Sequence, residues 1–305
     1  MEKHRKKLIK NAAVFDGHSS GLVQGKKIVI EDDIVTEITA DEVSEENFDE
    51  VFDGTGMVAM PGMTDAHVHM GCLFAKGEFP VDYATVLTVA KCKDALMAGF
   101  TTFRDAGSVS EGLKLAFDEG VLPGPRIYPC GAYISQTCGH RDSEYAHTYR
   151  DIQYRHPSST VLADGVPEII RAVREQFYRG ASHIKLTATE ILNRHEDIRL
   201  LFGTDMMITG PDYQVEQSED IRYYEKRFGT MRALRALTGT ANEVFALTTY
   251  QNPYPKGKIG VLEAGSYADL LLVDGDPTKS VSVLADTDHL RLIMKGGTVY
   301  KNTLC

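Results

Sequence analysis

Two histidines, His67 and His69, stand two residues apart in the run TDAHVHM, directly after the apolar MVAMPGM. In a strand, side chains two apart point to one face, so this pair can present two imidazoles to one ion, with Asp65 on the same side. The same spacing is met where one histidine caps a strand or pairs with a carboxylate. Lys185, in ASHIKLTATE, ends another strand-prone run and is flanked by Ile184 and Leu186. An inward ammonium there is costly unless paired or modified, whereas one that reaches water at the mouth of the fold needs no special account. Asp205 closes the apolar run IRLLFGTDM before a polar loop, and alone it reads as a helix N-cap or a loop carboxylate. Taken together, the four are imidazole, imidazole, amine and carboxylate, each at the end of a predicted strand, and the two imidazoles alone make a bidentate metal clamp on a rigid element.

The elements that must position these groups change texture along the chain. The first sixty residues carry short β-prone runs, LIKNAAVF, KKIVI and DIVTEITA, separated by Gly, Ser and Asp clusters, and the last fifty return to that texture with GKIGVLEAGSYADLLLVDGDP and LRLIMKGGTVY. The two ends are therefore expected to pair into one composite β-sandwich domain, residues 1–60 with 256–305. Residues 61–255 alternate strand and helix: DAHVHM, the helix VLTVAKCKDALMAG, FTTFRDAG, a second helix, RIYPCGAYI, the helix EIIRAVREQFYRG and ASHIKLTATE. That rhythm predicts an α/β fold, a (β/α)8 TIM-type barrel whose C-terminal strand ends form the site.

Composition narrows the function classes. The chain has 305 residues, 43% of them hydrophobic and 25% charged, enough for a sizeable core. A net charge of -10, with the opening HRKK as the only basic cluster, argues against nucleic acid as a partner. Cys72, Cys92, Cys130, Cys138 and Cys305 form no CxxC pair and are odd in number, which disfavours a disulfide framework and thiolate-held zinc. No apolar run approaches the roughly 20 residues that span a bilayer, so no membrane role is expected, and the chain reads as cytoplasmic unless an export signal has been removed. Gly54 and Gly56 suit a turn better than a nucleotide loop, Met57, Met60 and Met63 suit core packing, and Cys138 beside His140 in a Gly-bearing loop is a poor nucleophile pair. Arg104 and Asp105, ending TTFRDAG, can orient a metal ligand or pair with each other.

With the runs PGMTDAHVHM, GFTTFRDAG, IKLTATE, GTDM, GVLEAGSYADLLLVDGDP and LIMKGGTVY in this order, the sequence resembles the amidohydrolase superfamily, in its imidazolonepropionase- and prolidase-like branch. The resemblance implies a metal-dependent hydrolase with two divalent ions, zinc before manganese or cobalt. His67 and His69 would bind the first ion, a carboxylated Lys185 would bridge the two, and Asp205 would complete the first site and handle the proton of the bridging water. His140, in CGHRD, would touch the substrate. The implied substrate is a small amide, a dipeptide or N-acyl amino acid, because GPDYQVEQSEDIRYYEKRFG after GTDM looks like that branch. A homo-oligomer is implied as well. Cyclic-amide hydrolysis or deamination on the same scaffold is the alternative activity, and a non-catalytic barrel that has lost its metals is the alternative class.

The chain departs from the family pattern between Lys185 and Asp205. Two further strand-end histidines belong in that interval, which holds only His195, in NRHEDIR; His183 lies two residues before Lys185. The strands predicted to end near Thr189 and to start near Ile198 are joined by about eight residues, whereas a parallel crossover needs a dozen or more. About 190 residues stand where eight βα units take about 250, so about three units are missing. Either a stretch is absent between about 189 and 193 or the chain carries a true deletion, which would open the barrel and leave a poorly stable, catalytically crippled protein.

Overall fold

The computed structural model describes residues 5–70, 81–107, 109, 111–137, 160–187, 199–207 and 213–304. The junction near 189–193 and His195 lie outside the described residues. The chain opens with β1 (Lys6–Lys10), β2 (Ala13–Val14), β3 (Lys27–Glu31), β4 (Ile34–Thr39), β5 (Glu50–Asp53) and β6 (Val58–Pro61). Ile28, Val29 and Ile30 are buried in succession at the centre of β3, as β-branched residues in a covered strand are. Strand β1 lies between β3, antiparallel to it, and β5, parallel to it, giving the sheet order β4-β3-β1-β5.

The middle of the chain runs β7 (Met63–His69), α1 (Val81–Met97), β8 (Phe100–Asp105), α2 (Glu111–Asp118), β9 (Arg126–Tyr128), β10 (Tyr133–Ser135), β11 (Thr160–Leu162), α3 (Gly165–Tyr178), β12 (Leu186–Thr187), β13 (Met206–Met207), α4 (Tyr213–Phe228), α5 (Thr230–Leu237) and α6 (Gly239–Phe245). Its strands form two all-parallel sheets, β13-β7-β8-β9 and β11-β10-β12. The fold is mixed α/β, and among the described residues the strands do not close into a barrel. Strand β13 comes last in sequence yet pairs with β7, the first of the parallel set.

Three predicted strands differ in the structure. RIYPCGAYI is two strands rather than one: Pro129 lacks the N–H a ladder needs, and β9 and β10 go to different sheets. Lys185 immediately precedes β12 instead of ending a strand. The run IRLLFGTDM gives a ladder only at Met206–Met207, and Asp205 stands before it; Phe202 is instead held singly, accepting from Ala66 N and donating to Ala236 O.

The chain ends with β14 (Leu270–Val273), β15 (Leu290–Lys295) and β16 (Thr298–Asn302), in a sheet of order β16-β15-β14-β6-β2. Strand β14 is antiparallel to both β6 and β15, so both ends of the chain share one sheet. All four residues of β14 are buried, and Leu271 and Val273 join Phe100, Phe103 and Leu96 in the main core. No helix among the described residues is long and apolar enough to cross a membrane.

A buried charge cluster ties this sheet to the parallel one. Arg126 of β9 donates from Nε to Asp269 Oδ2 at 2.7 Å and from Nη2 to Asp269 Oδ1 at 3.2 Å, and its guanidinium lies 3.8 Å from the Tyr267 ring centroid. Lys295 Nζ donates to Gly124 O at 2.5 Å, and burial pushes its amine down to about 8. Between that value and the ordinary 10.5 the unfolded chain holds a proton that the folded chain has released, so this group makes stability rise with pH across the window and costs stability below it. Lys295→Met is expected to remove that rise, lowering the slope of unfolding free energy against pH between 8 and 10.5 by up to about 1.4 kcal/mol per unit, measured by urea unfolding of both proteins.

Candidate metal centre

Strand β7 is buried along nearly its whole length, as a parallel strand covered on both faces must be. His67 and His69 project from its end toward the same point. His67 Nε2 and His69 Nε2 each lie 3.0 Å from Asp205 Oδ1, and the two rings meet edge to face with centroids 5.3 Å apart. Lys185 Nζ lies 3.0 Å from His67 Nε2. The structure thus brings His67, His69, Lys185 and Asp205 to one locus, while His140 lies outside the described residues.

Backbone contacts fix the carboxylate. Asp205 N donates to His67 O at 2.8 Å, and Asp205 has φ +56, a left-handed conformation that Asp tolerates better than most residues. Gly203 lets this segment approach β7, because a Cβ there would stand 2.8 Å from the Cβ of His67. Gly203→Ala is expected to force the segment outward and destabilise the fold by about 1–3 kcal/mol, read from urea unfolding.

Asp65 does not join the cluster. Its carboxylate is fully buried and accepts from His67 N, Thr204 N, Thr204 Oγ1 and Gln217 Nε2, tying β7 to the GTD segment and to α4. Burial pushes it up to about 6 against the pull of those donors. Asp105 does for the strand end what Asp65 does for its middle, accepting from Met70 N, Gly107 N and Val109 N. Arg104 Nη1 donates to Ala66 O at 3.3 Å. His183 is engaged elsewhere, with Nε2 3.1 Å from the Asp105 carbonyl and Nδ1 3.0 Å from Ser182 Oγ. Sequence reasoning missed the contact of Tyr133 Oη with His69 Nδ1, 2.5 Å, since nothing in CGAYIS points across to another sheet.

Burial, then the neighbouring Lys185 charge, pushes His67 down to about 4, so its imidazole is neutral at pH 7, the form that binds metal. One ligand atom from each of His67, His69 and Asp205 lies within 4.8 Å of the others, the one such donor group found among the described residues. Two imidazoles and a carboxylate are donors that zinc takes at about 2.0–2.2 Å, and this set fits one divalent ion.

Comparison with known proteins agrees with the donor chemistry. The family model described as "Amidohydrolase family" matches residues 58–197. An ochratoxinase of Aspergillus niger is 33% identical over 152 residues, 43% of this chain and 31% of that protein. Residues 58–197, a little under half of the chain, thus resemble the amidohydrolase family. The chain's alignment spans about a third of that curated relative's length. Among solved structures, an amidohydrolase superposes with a TM-score of 0.83 at 23% identity, covering 98% of this chain and 100% of that one. A prolidase complexed with N-methylphosphonate-L-proline gives 0.81 at 21%, covering 97% and 100%. At such identities these two likenesses speak for the fold alone.

Proposed function

We propose that the chain is a metal-dependent hydrolase that cleaves the amide C–N bond of a dipeptide or N-acyl amino acid. The observation that carries this reading is the convergence of His67, His69 and Asp205 on one point, 3.0 Å from each imidazole to the shared carboxylate oxygen, with Lys185 beside them. The substrate class rests on the stretch GPDYQVEQSEDIRYYEKRFG, which resembles the prolidase-like branch.

His67 and His69 would hold a divalent ion, zinc by donor type, through Nε2, and Asp205 would hold it through a carboxylate oxygen. A bound ion of this kind lowers the pKa of water and polarises a carbonyl. Asp205 would accept the proton of the attacking water through its carboxylate and return it to the leaving nitrogen, so that addition of hydroxide to the carbonyl carbon and rupture of the C–N bond would give a carboxylate and an amine. Lys185 Nζ lies 3.0 Å from His67 Nε2; as an ammonium it would repel a cation held there, and carboxylated it would supply an anionic ligand instead. His140 completes the reading as a substrate contact. The division into a terminal β domain (1–60 with 256–305) and a catalytic unit (61–255) belongs to the same proposal.

The test is hydrolysis of a panel of N-acyl amino acids and Xaa-Pro dipeptides by protein supplied with zinc and bicarbonate, with free amino acid and ammonia measured separately. Amino acid release that a chelator abolishes and zinc restores is the expected result. Ammonia without amino acid would reassign the site to deamination, and turnover of neither would favour a non-catalytic protein.

A further inference from the structure

Tyr133 belongs to β10, in the sheet β11-β10-β12, whereas His69 ends β7 in the sheet β13-β7-β8-β9. The tyrosine ring therefore crosses from one parallel sheet to the other, and its Oη meets His69 Nδ1 at 2.5 Å. The side chain is 1% exposed, so this contact lies away from bulk water. Its path is cut for it: a Cβ at Gly107 would stand 1.9 Å from Tyr133 Cζ, so the ring fills the space that any other residue at 107 would claim. The backbone of the same strand also holds the opposite side of the site, since Ile134 N donates to Lys185 O at 3.0 Å.

An imidazole that binds a cation through Nε2 must carry its proton on Nδ1, and whatever accepts that proton fixes both tautomer and ring orientation. At His69 the Nε2 side faces Asp205 Oδ1 at 3.0 Å and the Nδ1 side faces a phenolic oxygen, which can accept from an N–H or donate to a lone pair. A carboxylate in that place could only accept; a hydroxyl can reverse. We propose that Tyr133 is a positioning residue for the metal centre, accepting a hydrogen bond from His69 Nδ1–H when a cation takes Nε2 and donating to Nδ1 when none does. The proposal rests on the metal-binding reading above and adds to it the group that sets the tautomer of one ligand.

The experiment compares zinc affinity, by competition with a chromophoric chelator, and the visible absorption of cobalt-substituted protein among wild type, Tyr133→Phe and Tyr128→Phe. Tyr128 is the matched control: it is buried, its Oη donates to Asn252 Oδ1 at 3.2 Å, and its ring packs on Phe245 and Tyr254. Tyr133→Phe keeps the ring over Gly107 and is expected to weaken zinc binding at least about tenfold and to shift the cobalt bands, while Tyr128→Phe leaves both as in wild type. Zinc affinity and cobalt bands of Tyr133→Phe equal to wild type would overturn the proposal alone, and so would an equal loss in Tyr128→Phe, which a general effect of losing a buried hydroxyl would produce. Wild type that binds neither ion would overturn the metal reading and this proposal with it.

Discussion

Asp205→Asn is expected to lower amide hydrolysis by about 10²- to 10⁴-fold in kcat at saturating zinc, the range of a lost general acid–base group. Asn has nearly the shape of Asp and tolerates the left-handed backbone that position 205 adopts, φ +56, so the hydrogen bond from its N–H to His67 O is retained and the fold should hold. What the substitution removes is the negative charge beside two imidazoles and, with it, the capacity to accept a proton, which an amide lacks. Steady-state kinetics with circular dichroism on the same samples separates that loss from unfolding. Retention of more than a tenth of wild-type kcat would show that Asp205 handles no proton.

The largest effect on stability is expected at Asp269. Its carboxylate accepts from Arg126 Nε, Arg126 Nη2 and Gly296 N, and its side chain is 3% exposed against 11% for Arg126. Asp269→Ala leaves the guanidinium buried without its counter-charge, which costs about 3–5 kcal/mol where a buried pair is broken from one side. Stacking on Tyr267 offsets only part of that, a cation–π contact contributing on the order of 1–2 kcal/mol. Because Arg126 sits on β9 and Asp269 directly precedes β14, the loss falls on the joint between the parallel sheet and the sheet shared by the chain ends. Urea unfolding should show the midpoint fall steeply; an unchanged midpoint would mean that the pair contributes nothing net.

How much of this was legible in the sequence follows from the range of the interactions. The spacing of His67 and His69 is a local rule of strand geometry, and the structure places both imidazoles on the same carboxylate oxygen. The β-prone texture of the first and last segments is local too, and strands form there. Contacts that join distant residues had no such signal. Asp65 was read beside the histidines by alternation, yet its carboxylate is occupied by Thr204 and Gln217, about 140 to 150 positions later in the chain. RIYPCGAYI was continuous by apolarity, and only the missing N–H of Pro129 could have marked the break between two sheets. Tyr133 carried no pattern at all, since its meaning depends on a partner 64 positions away.

Whether His67, His69 and Asp205 hold a catalytic divalent ion is decided by metal content. Elemental analysis and native mass spectrometry would be run on protein purified without chelator and with bicarbonate present, for wild type and for the double variant His67→Ala, His69→Ala. About one to two zinc ions per wild-type chain and none retained by the double variant are expected. A wild-type chain free of divalent metal after zinc loading, or equal zinc in both proteins, would contradict metal binding by these residues.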